Sequence, residues 1–281
     1  MRANPQFLNR STAFWGYTKL ISERLGYSKA NFVLHHDKHS IKTKLYEMDI
    51  SIEEDLLEDV SEYLIYRADL LNNTISNLFM NVDEARHEFR NLLEHYKVNG
   101  FTSSLPLNKQ KGEKRDYAYF TCMINIITEG VLRQFSNQQG LNYDKDIKFN
   151  DDPRNLTYIL DENKGVEGIL SRRFDGAFPS TVNPKAIWEI KEYYYTTTFG
   201  SRIADGVYET QLDGHEINHL SHVLHTPIEH IYFIDAYNTW WVMGKSYLCR
   251  IIDMLHMGLV DEVIFGREIF DRWPQALKSL L

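Results

Sequence analysis

The sequence predicts an α/β chain, a mixed β-sheet core flanked by helices and preceded by a helical N-terminal region. Three observations predict it. Residues 1–100 place apolar residues at helical spacing between the glycine stops Gly26 and Gly100. The β-rich runs Leu156–Leu160, Val166–Phe178, Lys185–Thr198, Ile228–Ala236 and Val260–Phe265 all follow that region. Helical stretches alternate with the last of these runs, as crossover connections on a mixed sheet require.

In chain order, Phe7, Leu8, Phe14, Trp15, Leu20, Ile21 and Leu25 outline a first helix that stops at Gly26. Ser51-x-x-Glu54 reads as a capping box opening a second helix through Leu56, Leu57, Val60, Tyr63, Leu64, Leu70 and Leu71. A third runs from Asp83 to Lys97, with Gly100 as its stop. Between the first two lies His35–Lys44, the most basic stretch, read as a loop. Lys38, Lys42 and Lys44 there suit contact with nucleic-acid phosphates, and a solvated loop explains them as well. His35, His36 and His39 lack the spacing and the fourth ligand of a zinc site. Residues 101–116 are polar with Pro and Gly and carry Lys109, Lys111, Lys114 and Arg115. They read as a linker, which divides the chain into a helical region (1–100), the linker (101–116) and a core (117–281).

The core opens with an apolar helix from Tyr117 to Gln134, whose polar stripe is Asn125, Glu129 and Arg133. Three strands then follow as an antiparallel meander, Leu156–Leu160, Val166–Phe178 and Lys185–Thr198, with Asp161–Gly165 as the first turn. A helix spans Arg202–Leu224. Ile228–Ala236 is continuous enough to be a central strand. Trp240–Met243 continues as strand or packs as a lid, Lys245–Met257 is a helix, and Val260–Phe265 is the last strand. A closing helix, Arg267–Leu281, is interrupted at Pro274.

Composition bounds the function. A net charge of −8 does not advertise a nucleic-acid protein, although the distribution of charge matters more than its sum. The two cysteines, Cys122 and Cys249, sit in apolar contexts, which suggests a reduced, cytoplasmic protein without a disulfide framework. No apolar run follows Met1, so no signal peptide is expected, and Tyr117–Ile127 is too short to span a bilayer.

The chemistry concentrates in Phe174–Thr197. Asp175 lies on one β-rich run, and Glu189-Ile190-Lys191 on the next. Period two puts Glu189 and Lys191 on one face of the strand, with Trp188 and Ile190 on the core face. Two other acid-x-Lys triplets, at Asp146 and Glu162, fall in turns. A solvated ion pair is the plain alternative for Glu189 and Lys191. An acid on one strand followed by acid-x-Lys on the next resembles the PD-(D/E)XK nuclease superfamily, with Phe174 in place of the usual proline.

That resemblance implies a restriction-endonuclease-like fold and hydrolysis of double-stranded DNA, most simply by a homodimeric, site-specific type II restriction endonuclease. Asp175, Glu189 and the Ile190 carbonyl would hold Mg²⁺, and Lys191 would position the attacking water. Glu129 and Gln211 would be accessory residues, with Arg172 and Arg173 lining a phosphate track. The helices before Gly100 would dimerise or touch DNA. A repair or phage-defence nuclease, or a non-catalytic DNA-binding protein of the same fold, fits the same residues. His215, His219, His222 and His225 share the helix of Gln211 and read as surface or packing residues, with zinc as the alternative.

Overall fold

The structure is a computed structural model and describes residues 1–108, 116–224 and 227–281. Lys109, Lys111, Lys114, Arg115 and His225 lie outside the described residues. The chain forms a helical N-terminal region and a central β-sheet flanked by helices.

Helix α1 (Thr12–Leu25) starts where the Ser11 side chain accepts from the Phe14 N–H, and it ends at Gly26 with φ 93°. Strands β1 (Ser28–Lys29) and β2 (Phe32–Val33) form a small hairpin. The basic stretch after it is a helix, α2 (Lys38–Glu47), and not a loop. Asp37 explains this, because its carboxylate accepts from the Ser40 N–H at 2.8 Å and caps the first turn. Helix α3 (Glu54–Asp69) begins without the expected capping box. Its N-cap residue is Glu53, which makes no side-chain cap bond. The Ser51 carbonyl instead accepts from the Tyr17 hydroxyl at 2.6 Å. A π turn (Leu70–Thr74) and a 3-10 turn (Ile75–Asn77) lead to α4 (Val82–Val98), which Asn81 and Glu84 open with a reciprocal capping box.

Helix α5 (Tyr119–Gln139) precedes the strands and ends on Gly140 in the left-handed conformation. Strands β3 (Tyr158–Leu160) and β4 (Val166–Ile169) form a two-stranded sheet apart from the main one, and Tyr158 of β3 also bridges Val182. The main sheet comprises β5 (Gly176–Phe178), β6 (Ala186–Glu192), β7 (Glu229–Asp235) and β8 (Glu262–Phe265), in that order. The β5–β6 pair is antiparallel, and β6–β7 and β7–β8 are parallel. Helix α6 (Ser201–Leu224) crosses from β6 to β7, α7 (Lys245–His256) from β7 to β8, and α8 (Arg272–Ser279) closes the chain.

The expected meander is therefore split. Val166–Phe178 is two strands, because the chain bends away between them at Ser171, whose N–H and hydroxyl are held by Glu216 of α6. Tyr193–Thr198 leaves the sheet, since Tyr194 and Tyr195 donate their hydroxyls to Asp235 and Asp116. Trp240–Met243 lies in a π turn with Trp240 buried. The closing segment breaks before α8, and Pro274 sits in that helix's first turn, where its missing N–H costs nothing.

Alternation along the strands sorts the two faces. Trp188, Ile190, Phe233 and Ile264 pack with Phe120 and Met123 of α5 and Trp273 of α8. Tyr232, Ile234, Val263 and Phe265 pack with Leu248, Ile252 and Leu255 of α7 and Val207 of α6. A separate cluster of Phe14, Ile21, Ile41, Leu57 and Leu64 holds α1, α2 and α3 together.

Gly176 is the register partner of Trp188, and a Cβ there would fall 2.1–2.4 Å from the indole. Alanine is normally the better strand residue by about 0.5–1 kcal/mol. Here overpacking dominates, so Gly176→Ala is expected to destabilise by about 1–3 kcal/mol. Urea denaturation checks this, and an unchanged or higher midpoint would contradict it.

Candidate active site

Strands β5 and β6 deliver the central residues to one cleft of about 810 Å³. Asp175 stands at the bend before β5, where two bonds to β6 fix it. Its N–H donates to the Trp188 carbonyl at 3.0 Å, and its Oδ2 accepts from the Ile190 N–H at 2.8 Å. Glu189 projects from the opposite face to Trp188 and is only 2% exposed, at the floor of the cleft. Lys191 Nζ donates to Glu189 Oε2 at 2.8 Å. Gly206 of α6 makes room for that lysine, since a Cβ there would lie 3.3 Å from Lys191 Cε.

Arg172 closes the group from the bend after β4. Its Nη1 lies 3.2 Å from Glu189 Oε1 and 2.6 Å from Asp213 Oδ2, and its Nη2 lies 3.4 Å from Glu209 Oε2. The approach to Glu189 is an ion pair without hydrogen-bond geometry, so Oε1 is a buried carboxylate oxygen with no hydrogen-bond donor among the described residues. Burial first, and Asp175 second, push the Glu189 carboxyl up to about 7, against the pull of Lys191 and Arg172. Burial alone would lower Lys191, but Glu189 beside it holds the ammonium above its ordinary value, so the lysine stays charged.

These contacts overturn the expectation of Mg²⁺. Among the described residues no group of three or more His, Cys, Asp or Glu side chains could hold a metal ion. The donor set explains why. Glu189 Oε2 is taken by Lys191, Oε1 faces a guanidinium, and Asp175 Oδ2 is taken by a backbone N–H. A cation at Asp175, Glu189 and the Ile190 carbonyl would sit against two fixed positive charges, so these residues do not fit the ion.

The cleft gathers Asp175, Glu189, Ile190, Lys191, Arg172 and Arg173. It does not gather the other expected residues. Glu129 is fully buried on α5, where it accepts from the Thr102 and Ser103 N–H groups and from Arg133 Nε at 2.7 Å. Burial would raise its carboxyl, but these donors hold it below the ordinary value. Gln211 is half-buried on α6 away from the cleft lining. Lys38 and Lys42 pair with Glu58 and Glu54 of α3, and Lys44 pairs with Glu47. His215, His219 and His222 are exposed on α6, and no metal-binding group forms there among the described residues.

Sequence reasoning missed Asp213, Arg202 and Glu192, all placed around the same group. Glu192 accepts from the N–H and hydroxyl of Thr121, tying β6 to the start of α5. Period two puts it on the Trp188 face, opposite Glu189, so strand alternation gave no signal that it would line the cleft. Arg173 and Arg202 line the cleft and make no ion pair or hydrogen bond among the described residues, whereas Arg172 is committed to three carboxylates.

The family model described as "Domain of unknown function (DUF7687)" matches residues 80–280. The chain belongs to this family. The DUF7687 match contains every residue that lines the cleft. A second family model, "Domain of unknown function (DUF7690)", matches residues 1–74, which carry α1, α2 and α3. No curated protein and no solved structure matches the chain. Among the described residues of this DUF7687 member, no helix is long and apolar enough to cross a membrane.

Proposed function

We propose that this chain hydrolyses phosphodiester bonds of double-stranded DNA in the Asp175–Glu189–Lys191 cleft, as a site-specific endonuclease. The observation that carries the reading is the buried, donorless Oε1 of Glu189, which faces Arg172 while Lys191 holds Oε2 of the same carboxylate. A buried carboxylate oxygen left without a donor calls for an explanation, and a proton acceptor for water supplies one. Water attacks phosphorus as Oε1 takes its proton. The new P–O bond forms, the bond to the leaving strand breaks, and the leaving oxygen is protonated from solvent. Lys191 and Arg172 face the charge that builds on the phosphoryl oxygens. Arg173 and Arg202, both without ion-pair partners among the described residues, are placed to hold flanking phosphates.

The antiparallel β5–β6 pair leading into parallel β7 and β8 supports a restriction-endonuclease-like core. A two-fold symmetric DNA site calls for a two-fold symmetric protein, so the working form is a homodimer acting in the cytoplasm.

Incubation with supercoiled plasmid across pH 5.5–8.5 tests the reading. Discrete fragments are expected, because the cut is site-specific. The base must be unprotonated, so the rate rises through the Glu189 value of about 7 and falls below it. Intact plasmid at every pH would overturn the proposal.

A further inference from the structure

We infer that Asp213 is a positioning residue, which fixes the Arg172 guanidinium over Glu189 before any phosphate arrives. The inference rests on the proposed cleavage and adds a role on α6 that neither the acid-x-Lys pattern nor the family match assigns. Asp213 is 3% exposed, and its contact with Arg172 Nη1, at 2.6 Å, is shorter than the arginine's 3.2 Å approach to Glu189. The arginine is therefore anchored on α6 and only leans on the reacting carboxylate.

The helix that carries the anchor is itself held at two glycines. At Gly206 it closes on Lys191. At Gly214, next to Asp213, a Cβ would lie 2.2 Å from the Leu259 carbonyl oxygen, so the helix backbone rests directly on the segment before β8. Gly206, Glu209 and Asp213 recur at helical spacing and share one face. That face is the wall of the cleft, and the seat at Gly214 sets the depth at which Asp213 meets Arg172. A guanidinium held this way needs no reorganisation when charge develops on phosphorus.

Two measurements on the full chain test this. The first follows the Arg172 guanidinium signals in ¹H–¹⁵N spectra, assigned by their loss in Arg172→Lys. Wild type is expected to show slowed, resolved signals, and Asp213→Asn is expected to move them into the envelope of exposed arginines while the Arg133 signals stay in place. Should Asp213→Asn fail to fold, Asp213→Glu keeps the charge but lengthens the arm, and a shifted Arg172 signal is again expected. Unchanged Arg172 signals in a folded variant would overturn the inference.

The second measures cleavage. Asp213→Asn is expected to lower kcat about 100-fold, the scale of a displaced catalytic group, with KM little changed. In an Arg172→Ala background the same substitution is expected to add no further loss, because both act through one contact. Additive losses would mark a merely structural role and overturn it. Wild type that shows slowed Arg172 signals yet cuts no DNA would remove the nuclease reading and leave the positioning role standing.

Discussion

Arg67→Met is expected to destabilise the chain by about 3–5 kcal/mol, the cost of leaving one charge of a buried pair uncompensated. Arg67 on α3 is 1% exposed, and its Nη1 lies 2.9 Å from both oxygens of Asp253 on α7. The same carboxylate accepts from the Tyr63 hydroxyl at 2.7 Å, while Arg67 Nη2 donates to Ser22 Oγ of α1 at 2.8 Å. One buried cluster thus joins α1 and α3, within residues 1–74, to the crossover helix of the sheet. Burial by itself would disfavour the charged guanidinium, but Asp253 offsets this and keeps it protonated. Removing the arginine strands Asp253 and leaves the carboxylate one side-chain donor among the described residues, the Tyr63 hydroxyl. The double variant Arg67→Met/Asp253→Leu is expected to recover most of the loss, since an apolar pair of similar volume often replaces a buried ion pair without cost. Denaturant unfolding of the two variants measures this. A single variant within about 1 kcal/mol of wild type, inside the usual range for exposed pairs, would show that the cluster does not hold the regions together.

The second large effect is on cleavage. Glu189→Gln keeps the shape of the side chain and removes its capacity to accept a proton, so cleavage is expected to fall by at least about 1,000-fold. Lys191→Ala removes the cation at Oε2 and leaves Glu189 buried beside Asp175 with Arg172 alone, which favours the protonated form and predicts a loss of the same order. DNA binding should survive both, because the arginines without ion-pair partners, Arg173 and Arg202, are untouched. Gel-shift measurements separate the two quantities. Loss of binding in parallel with loss of cutting would mean the residues build the cleft rather than act in it.

Local signals in the sequence carried much of this. Period two along Ala186–Glu192 separated Trp188 and Ile190 from Glu189 and Lys191, and the strand packs with that division. Gly26 and Gly100 ended helices as their freedom at positive φ allows. What failed depended on partners distant in the chain. Ser171 leaves the strand because Glu216 holds it, and Glu129 is claimed by Thr102 and Ser103, contacts that no spacing reveals. Gln211 and Asp213 lie about 200° apart around α6, so only the phase of the helix against the sheet selects between them. The basic stretch His35–Lys44 departs from the expected loop for a nearer reason. Asp37 was visible as a cap three residues before Ser40, and basic composition outweighed it.

The most direct measurement follows supercoiled plasmid at pH 8 in excess chelator, with wild type and Glu189→Gln side by side. The proton transfer described here uses only Glu189, Lys191 and Arg172, so wild type is expected to cut in chelator and Glu189→Gln to leave the plasmid intact. Wild type that stops cutting in chelator, or Glu189→Gln that cuts as wild type does, would contradict it.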